Sequence, residues 1–393
     1  MNICLISTGY PPEDGGGIGT YIYNLSHGLS ALGHYVHVVT KTTEKKYNCE
    51  KIGKIIIHRL PEKLFLRGIE RFLPGINWSY NVYKLVKQLD QQSKIDIIEF
   101  PNWESPGIVS QLLLRRIPIV VRIHTPLFET LELDKKNEKI NLTEKIACYL
   151  EKVSCTRAKY IISSTKFHAN MLAAKYSLKI NEINILPLGI MEKKEAQEKD
   201  IKSQNKFKIL YVSRLEHRKG TLTLINSLPS ILKNRKDILI DFVGSDRKHA
   251  PGNMKFEKYF INNYGVLKDQ VFFHGFVTDK ELQDFYKQAD LFVVPSVYES
   301  FGLIYIEAMS YSLPSIATTG GGIPEVIEHG ENGYLIEPHD TKALVYYINK
   351  IYSDDNLKKK LSRQSKKTYT EKFRYMEMSQ KTEFLYKKAI NDG

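Results

Sequence analysis

Ala289-Asp-Leu-Phe-Val-Val-Pro295-Ser-Val-Tyr-Glu299-Ser-Phe-Gly302-Leu-Ile-Tyr-Ile-Glu307-Ala-Met309 carries a change from strand to helix, and the rest of the chain is read outward from it. Residues 289–295 form a short apolar run of strand length. Residues 302–309 read as the first turns of a helix. Glu299 then falls in the connecting loop, and Glu307 more than a turn inside the helix. Between the two acids lie the backbone N–H groups of Phe301, Gly302 and Leu303. A helix start leaves such groups without intrahelical partners and suits an anion. Two acids flanking it suit the hydroxyls of a sugar-like ligand whose phosphates rest on those amides. A solvated acid and a helix-facing acid would look the same in isolation.

The pattern repeats along the chain. Apolar runs at residues 3–7, 36–40, 55–59, 95–100, 119–124, 160–164 and 183–186 alternate with helical stretches such as 19–32, 79–91 and 143–157. Several runs are apolar without alternation, which predicts strands buried on both faces, as in parallel sheets. Residues 191–206 are charged and read as an exposed linker. The alternation then restarts at 208–212, 238–243, 271–273, 291–294, 315–318 and 333–336. The expectation is an α/β protein of two doubly wound, Rossmann-like domains, 1–190 and 207–374, facing a deep interdomain cleft. Ligands are expected at the carboxyl ends of their strands.

Three further loops fit an anionic ligand. Thr8-Gly-Tyr-Pro-Pro-Glu-Asp-Gly15-Gly-Gly-Ile-Gly19-Thr follows the first strand, and its glycines let backbone approach a ligand closely. It lacks both the dinucleotide fingerprint and the Gly-Lys-Ser/Thr of a Walker loop. Arg214 and Lys219 follow the first strand of the second half; a planar fork and a point cation five residues apart suit a diphosphate. Gly320-Gly-Gly-Ile-Pro-Glu325 is a further anion-suited loop. His124 ends the run 119–124, placed to face a ligand. No carboxylate pair offers a Mg²⁺ site beside these cations, so metal and cofactor are expected to be absent. Plain turns and surface charges remain the competing readings of each piece alone.

Composition bounds the partners. Lys+Arg 57 against Asp+Glu 44 leaves a net charge of +13, which points to an anionic partner such as nucleotide phosphates, an acidic acceptor or anionic lipid. The basic residues show no nucleic-acid-binding signature, so no nucleic acid is expected. Cys4, Cys49, Cys148 and Cys155 show no metal spacing and read as reduced core residues. With no signal-like segment and no apolar run long enough to span a bilayer, the expected location is cytoplasmic. Residues 63–80 mix basic and bulky apolar side chains. They read either as a helix-turn packed against the cleft mouth or as a contact with an anionic membrane surface on the inner face.

Taken in order, these pieces resemble the retaining glycosyltransferases of family 4, with the GT-B fold. The best-matching stretch is 289–338, with the Glu299/Glu307 pair, Gly-Gly-Ile-Pro-Glu325 and Glu331-Asn-Gly-Tyr-Leu. The resemblance implies a hexosyltransferase (EC 2.4) that moves a sugar from a nucleotide diphosphate sugar, UDP-sugar favoured, to a hydroxyl acceptor such as a lipid-linked saccharide. The implied setting is cell-surface polysaccharide or glycolipid assembly. It assigns Glu299 to donor-sugar hydroxyls, Glu307 to the ribose, and Arg214 and Lys219 to the diphosphate. Gly16 and Gly17 would approach phosphate and acceptor, and His124 the transferred sugar. The amides of Phe301, Gly302 and Leu303 would complete the phosphate site. The base would rest near His274, Phe276 and Val277, and helix 375–393 would cross back onto the first domain. Two departures stand out: Leu188 follows Pro187 where the family often has Asn, and Glu13-Asp14 precede the glycine loop. A nucleotide-sugar binding protein without catalysis, or a GT-B epimerase, would use the same constellation.

Overall fold

The computed structural model describes residues 1–13, 16–62, 73–134, 140–192 and 206–392. The expected linker therefore lies largely outside the described residues, as do Asp14, Gly15 and residues 63–72 of the basic, apolar segment. The chain folds as two compact units, Met1–Met191 with Arg374–Gly393, and Glu192–Phe373.

The first unit holds strands β1 (Asn2–Ile6), β2 (Tyr35–Thr42), β3 (Asn48–Ile52), β4 (Ile55–Pro61), β5 (Ile97–Pro101), β6 (Ile119–Ile123), β7 (Tyr160–Ser163) and β8 (Ile183–Ile185). Their order is β3-β4-β2-β1-β5-β6-β7-β8, parallel throughout except for the β3–β4 hairpin. Helices α1 (Gly17–Ala31), α2 (Ile76–Ser93), α3 (Ile108–Leu113), α4 (Leu127–Asp134), α5 (Leu142–Arg157) and α6 (Lys166–Tyr176) connect them. Side chains such as Ile6, Val39, Ile98 and Val121 from the sheet pack with Trp78, Val82 and Val86 of α2 in one core. Helix α5 starts on a capping box in which Asn141 and Glu144 satisfy each other's backbone N–H.

The second unit holds β9 (Phe207–Val212), β10 (Ile238–Val243), β11 (Val271–Gly275), β12 (Leu291–Val293), β13 (Ser315–Thr318) and β14 (Gly333–Ile336). All run parallel, in the order β11-β10-β9-β12-β13-β14. Helices α7 (Thr221–Leu232), α8 (Phe256–Tyr264), α9 (Asp279–Gln288), α10 (Leu303–Ser310), α11 (Thr341–Ser353) and α12 (Asp355–Lys372) complete it. The strand order reverses between β9 and β12, so the loops leaving their carboxyl ends diverge and open a crevice. Helix α13 (Tyr375–Asn391) then returns to the first unit.

Two Rossmann-like α/β units are thus present, as the strand pattern predicts. Four details differ. The exposed hairpin strand β3 was not anticipated, because Asn-Cys-Glu-Lys-Ile has no buried face. Cys49, expected in the core, lies exposed on it, while Cys4 and Cys155 are buried. Trp78, counted in the basic, apolar segment, is fully buried in the first unit's core and faces no membrane. Helix α1 begins at Gly17, earlier than the expected residue 19.

A buried charged network ties α13 to its sheet. Glu99 of β5 and Arg122 of β6 are both fully buried and 3.4 Å apart. Tyr21 and Tyr386 each donate a hydroxyl hydrogen bond to Glu99, the latter at 2.7 Å. Arg122 also donates to the Leu186 carbonyl and to Thr382, and stacks over Tyr21. Buried charges persist only when paired and hydrogen-bonded, and here every partner is in place.

Candidate functional site

The loop after β9 turns sharply at Gly220, whose φ of 68° lies in the left-handed region. A Cβ there would stand 1.8 Å from the Pro295 carbonyl oxygen, so only glycine fits. That close approach brings the β9 loop against the β12 loop, and the Val297 N–H donates to the Arg218 carbonyl at 2.8 Å. On the other side, the Gly322 N–H donates to the Glu299 carbonyl at 2.8 Å. A Cβ on Gly321 would meet that same oxygen at 2.3 Å. The glycine loop 320–322 thus braces Glu299's backbone. At least the Gly322 amide is spent inside the protein instead of facing an anion as expected.

Held in this way, Lys219 Nζ lies 2.5 Å from Glu299 Oε1, which also accepts from Ser296 Oγ at 3.0 Å. Burial pushes the Glu299 carboxyl up, but the adjacent Lys219 and Arg218 charges outweigh it and hold the acid below its ordinary range. Arg214 is half-exposed, and its Nη1 lies 3.2 Å from Glu216 Oε1. Arg218 stands 4.0 Å from the other Glu216 oxygen. Three cations and two acids therefore share the carboxyl ends of β9 and β12, where the strand order reverses. Sequence reading missed Glu216, Arg218 and Ser296. Arg218 could have been found from its place beside Lys219; Glu216 and Ser296 carry no signal beyond short loops.

The remaining expected residues distribute as follows. Gly302 is the N-cap of α10, with no side chain capping that helix, and Leu303 is its first residue. Phe301 is buried with its ring edge-on to Phe373, so only its backbone is available to a ligand. Glu307 is half-buried and accepts from the Tyr286 hydroxyl at 3.2 Å. His274 pairs with Asp241 at 2.7 Å, Val277 follows β11, and the Phe276 side chain is 90% exposed. His274 and Phe276 line a cavity of about 290 Å³ with Leu215, Gly244 and Ser245, immediately after Arg214 in the chain.

In the first unit, Gly16 and Gly17 are exposed at the start of α1, at the carboxyl end of β1. His124 follows β6. Its backbone N–H donates to Asn102 Oδ1 at 2.7 Å, and its ring packs against Tyr21. Burial, together with the Arg122 charge and neighbouring His168, pushes its imidazole down to about 3, so it is neutral at working pH. Its buried Nε2 has no protein partner. Among the described residues no group of three or more His, Cys, Asp or Glu is placed to hold a metal ion.

Two Rossmann-like units, with a cation cluster at the switch point of the second, are the architecture of GT-B glycosyltransferases. The family models agree. "Glycosyltransferase Family 4" matches residues 15–193 and "Glycosyl transferases group 1" residues 192–368, and the chain belongs to this family. It is 24% identical to an uncharacterised glycosyltransferase of Methanocaldococcus jannaschii, over 99% of each chain. Among solved structures it resembles sucrose-phosphate synthase from Thermosynechococcus elongatus (TM-score 0.80, 22% identity, 100% of both chains covered). It also resembles Anabaena HepE in complex with UDP-glucose (TM-score 0.72, 18% identity, 98% of this chain and 100% of that one). No helix among the described residues is long and apolar enough to cross a membrane.

Proposed function

We propose that the chain is a metal-independent, retaining glycosyltransferase that takes its sugar from a nucleotide diphosphate sugar, with uridine favoured as the base. The Lys219–Glu299 pair beside Arg214 carries this reading. An ionised acid at 2.5 Å from a lysine offers a sugar hydroxyl an acceptor, while the cations face the charge that grows on the leaving diphosphate. The capless start of α10 adds backbone N–H groups to the same task. The HepE structure holding UDP-glucose supports the choice of base.

In the reaction, the bond from the anomeric carbon to the diphosphate oxygen breaks as the acceptor hydroxyl oxygen attacks from the same face. The hydroxyl proton passes to the departing phosphate oxygen. Neutral His124 serves as a hydrogen-bond partner for the sugar and carries no charge. The acceptor side is the first unit, and the setting is assembly of a surface saccharide, with a lipid-linked acceptor on the cytoplasmic side of a membrane.

The test is turnover of UDP-, GDP- and ADP-sugars by the purified chain. Arg214→Ala and Glu299→Ala are each expected to lower turnover about a hundredfold or more, with EDTA leaving the rate unchanged. Near-normal turnover in both variants would sink the reading.

A further inference from the structure

Helix α12 carries a charged face that no other part of the described chain answers. Its inner side is buried through Leu361, Ser365, Thr368 and Tyr369, and Ser365 Oγ donates to the Leu313 carbonyl at 2.8 Å. On the outer side, helical spacing sets Asn356, Lys359, Lys360, Arg363, Gln364 and Lys367 on one face. These residues line a shallow depression of about 430 Å³ to which only α12 contributes. The four cations on it are exposed.

The other lysines of α12 have acids of their own. Lys358 lies 3.7 Å from Asp290 and 3.2 Å from Asp355, Lys366 2.6 Å from Glu192, and Lys372 2.5 Å from Glu328. Lys359, Lys360, Arg363 and Lys367 have no acid within 4.0 Å among the described residues. Glu371 comes a turn beyond Lys367, at the end of the face. Like charges four residues apart, as at Lys359/Arg363 and Arg363/Lys367, destabilise a helix. An anionic surface turns that repulsion into attraction, and the Asn356 and Gln364 amides add donors for phosphate oxygens.

What the face lacks selects its partner. It holds no apolar or aromatic side chain, so it offers neither the apolar centre of a protein interface nor a stacking platform for single-stranded nucleic acid. Its cations are fewer than the about 6–10 phosphate contacts of duplex binders. A lipid surface needs none of these, because anionic headgroups move laterally to meet fixed cations. Each Lys or Arg held near such a surface raises partitioning about fivefold, so four together reach on the order of several hundredfold.

We propose that the outer face of α12 docks the second unit on an anionic lipid surface through Lys359, Lys360, Arg363 and Lys367. The contact belongs to a different unit from residues 63–80, where the sequence suggests one. Lys366 Nζ also donates to the carbonyl of Ser310, the last residue of α10, whose first residue Leu303 supplies one of the proposed phosphate amides. A docked chain therefore holds its donor site one helix layer from the headgroups. The docking stands without the transferase reading; the lipid-linked acceptor it would bring near rests on that reading.

Flotation of the full chain with vesicles of phosphatidylcholine, alone or with about 30% phosphatidylglycerol, tests the face without any sugar. Binding is expected with the anionic vesicles only, falling more than about tenfold as salt rises from about 50 to 300 mM. Lys359→Glu, Lys360→Glu, Arg363→Glu and Lys367→Glu together are expected to lower it about a hundredfold or more. The same four changed to Gln should lower it by about as much, which keeps the test if the reversed chain does not fold. Lys236→Glu, Lys258→Glu, Lys268→Glu and Lys280→Glu together change the net charge equally at scattered exposed positions of the same unit. That control is expected to lose at most about fivefold. Equal loss in the control, equal binding to neutral vesicles, no binding to either, or tighter binding of duplex DNA than of anionic vesicles at equal phosphate overturns the proposal. A chain that docks in this way but turns over no nucleotide sugar would overturn the transferase reading and leave the docking face standing.

Discussion

At the residue scale, two buried acids with opposite electrostatics do different work. Glu299 is held ionised by Lys219 and Arg218 beside it. Glu151 has no cation among its partners, and burial pushes its carboxyl up to about 8 against three hydrogen bonds that pull the other way. The consequence for stability has a definite sign. An unfolded Glu151 loses its proton near its ordinary value of 4.5, while the folded one keeps it to about 8. The native state therefore binds more protons across that window, and this group's contribution is full below 4.5 and lost as pH rises to 8. His58 and His124 act oppositely. They are pushed down to about 4 and about 3, and their contribution falls away as pH drops below 6.5. Between pH 6.5 and 8 the slope due to Glu151 stands apart from theirs. Urea denaturation of wild type and Glu151→Gln at pH 6.5 and 8 should show wild type losing stability relative to the variant as pH rises. Parallel behaviour of the two would show that Glu151 is ionised throughout.

At the element scale, the site is two loops stitched together, and glycine makes the stitch. Gly220→Ala should cost about 1–2 kcal/mol for the left-handed backbone. It should cost ~1–3 kcal/mol more for displacing the Pro295 carbonyl. For a unit of this size, the melting temperature should fall by roughly 5–15 °C. Lys219 and Glu299 would separate as the loops part, so KM for the donor should rise as well; a variant with unchanged melting and KM would contradict the stitched geometry. The strands beneath these loops were legible because parallel strands buried on both faces read as unbroken apolar runs, as in β1, β9 and β10. The loop residues Arg214, Lys219 and Glu299 were legible because they follow such runs directly. Hairpin strand β3 was not, since edge residues exposed on every side carry no burial pattern. Glu99 and Arg122 were equally hidden: each is a charge inside an apolar run, and their partners Tyr21, Thr382 and Tyr386 come from helices far away in sequence. Glu151 escaped for the same reason, because only folding brings α5 against the loop after β5.

For the whole molecule, the path of the chain sets which part can stand alone. The second unit is continuous in sequence, Glu192–Phe373, and holds every residue assigned to the diphosphate and base except Gly16 and Gly17, which would approach the phosphate from the first unit. The first unit is completed by α13, whose Tyr386 and Thr382 satisfy the fully buried Glu99 and Arg122. Removing those partners leaves a buried ion pair short of hydrogen bonds, and breaking such a network typically costs ~3–5 kcal/mol. That is a large share of the ~5–15 kcal/mol that holds a domain folded. A fragment of residues 206–373 should therefore fold cooperatively and bind UDP with an affinity within about tenfold of the full chain, since the approach of Gly16 and Gly17 is the one assigned donor contact removed. A fragment of residues 1–191 should lack cooperative unfolding, and adding residues 374–393 in trans should restore it. Circular dichroism melts and calorimetric titration with UDP separate the outcomes. A cooperative 1–191 fragment would show that the charged network is dispensable. A folded 206–373 fragment blind to UDP would place an essential part of the donor site in the first unit, with Gly16 and Gly17 at the start of α1 the first residues to substitute.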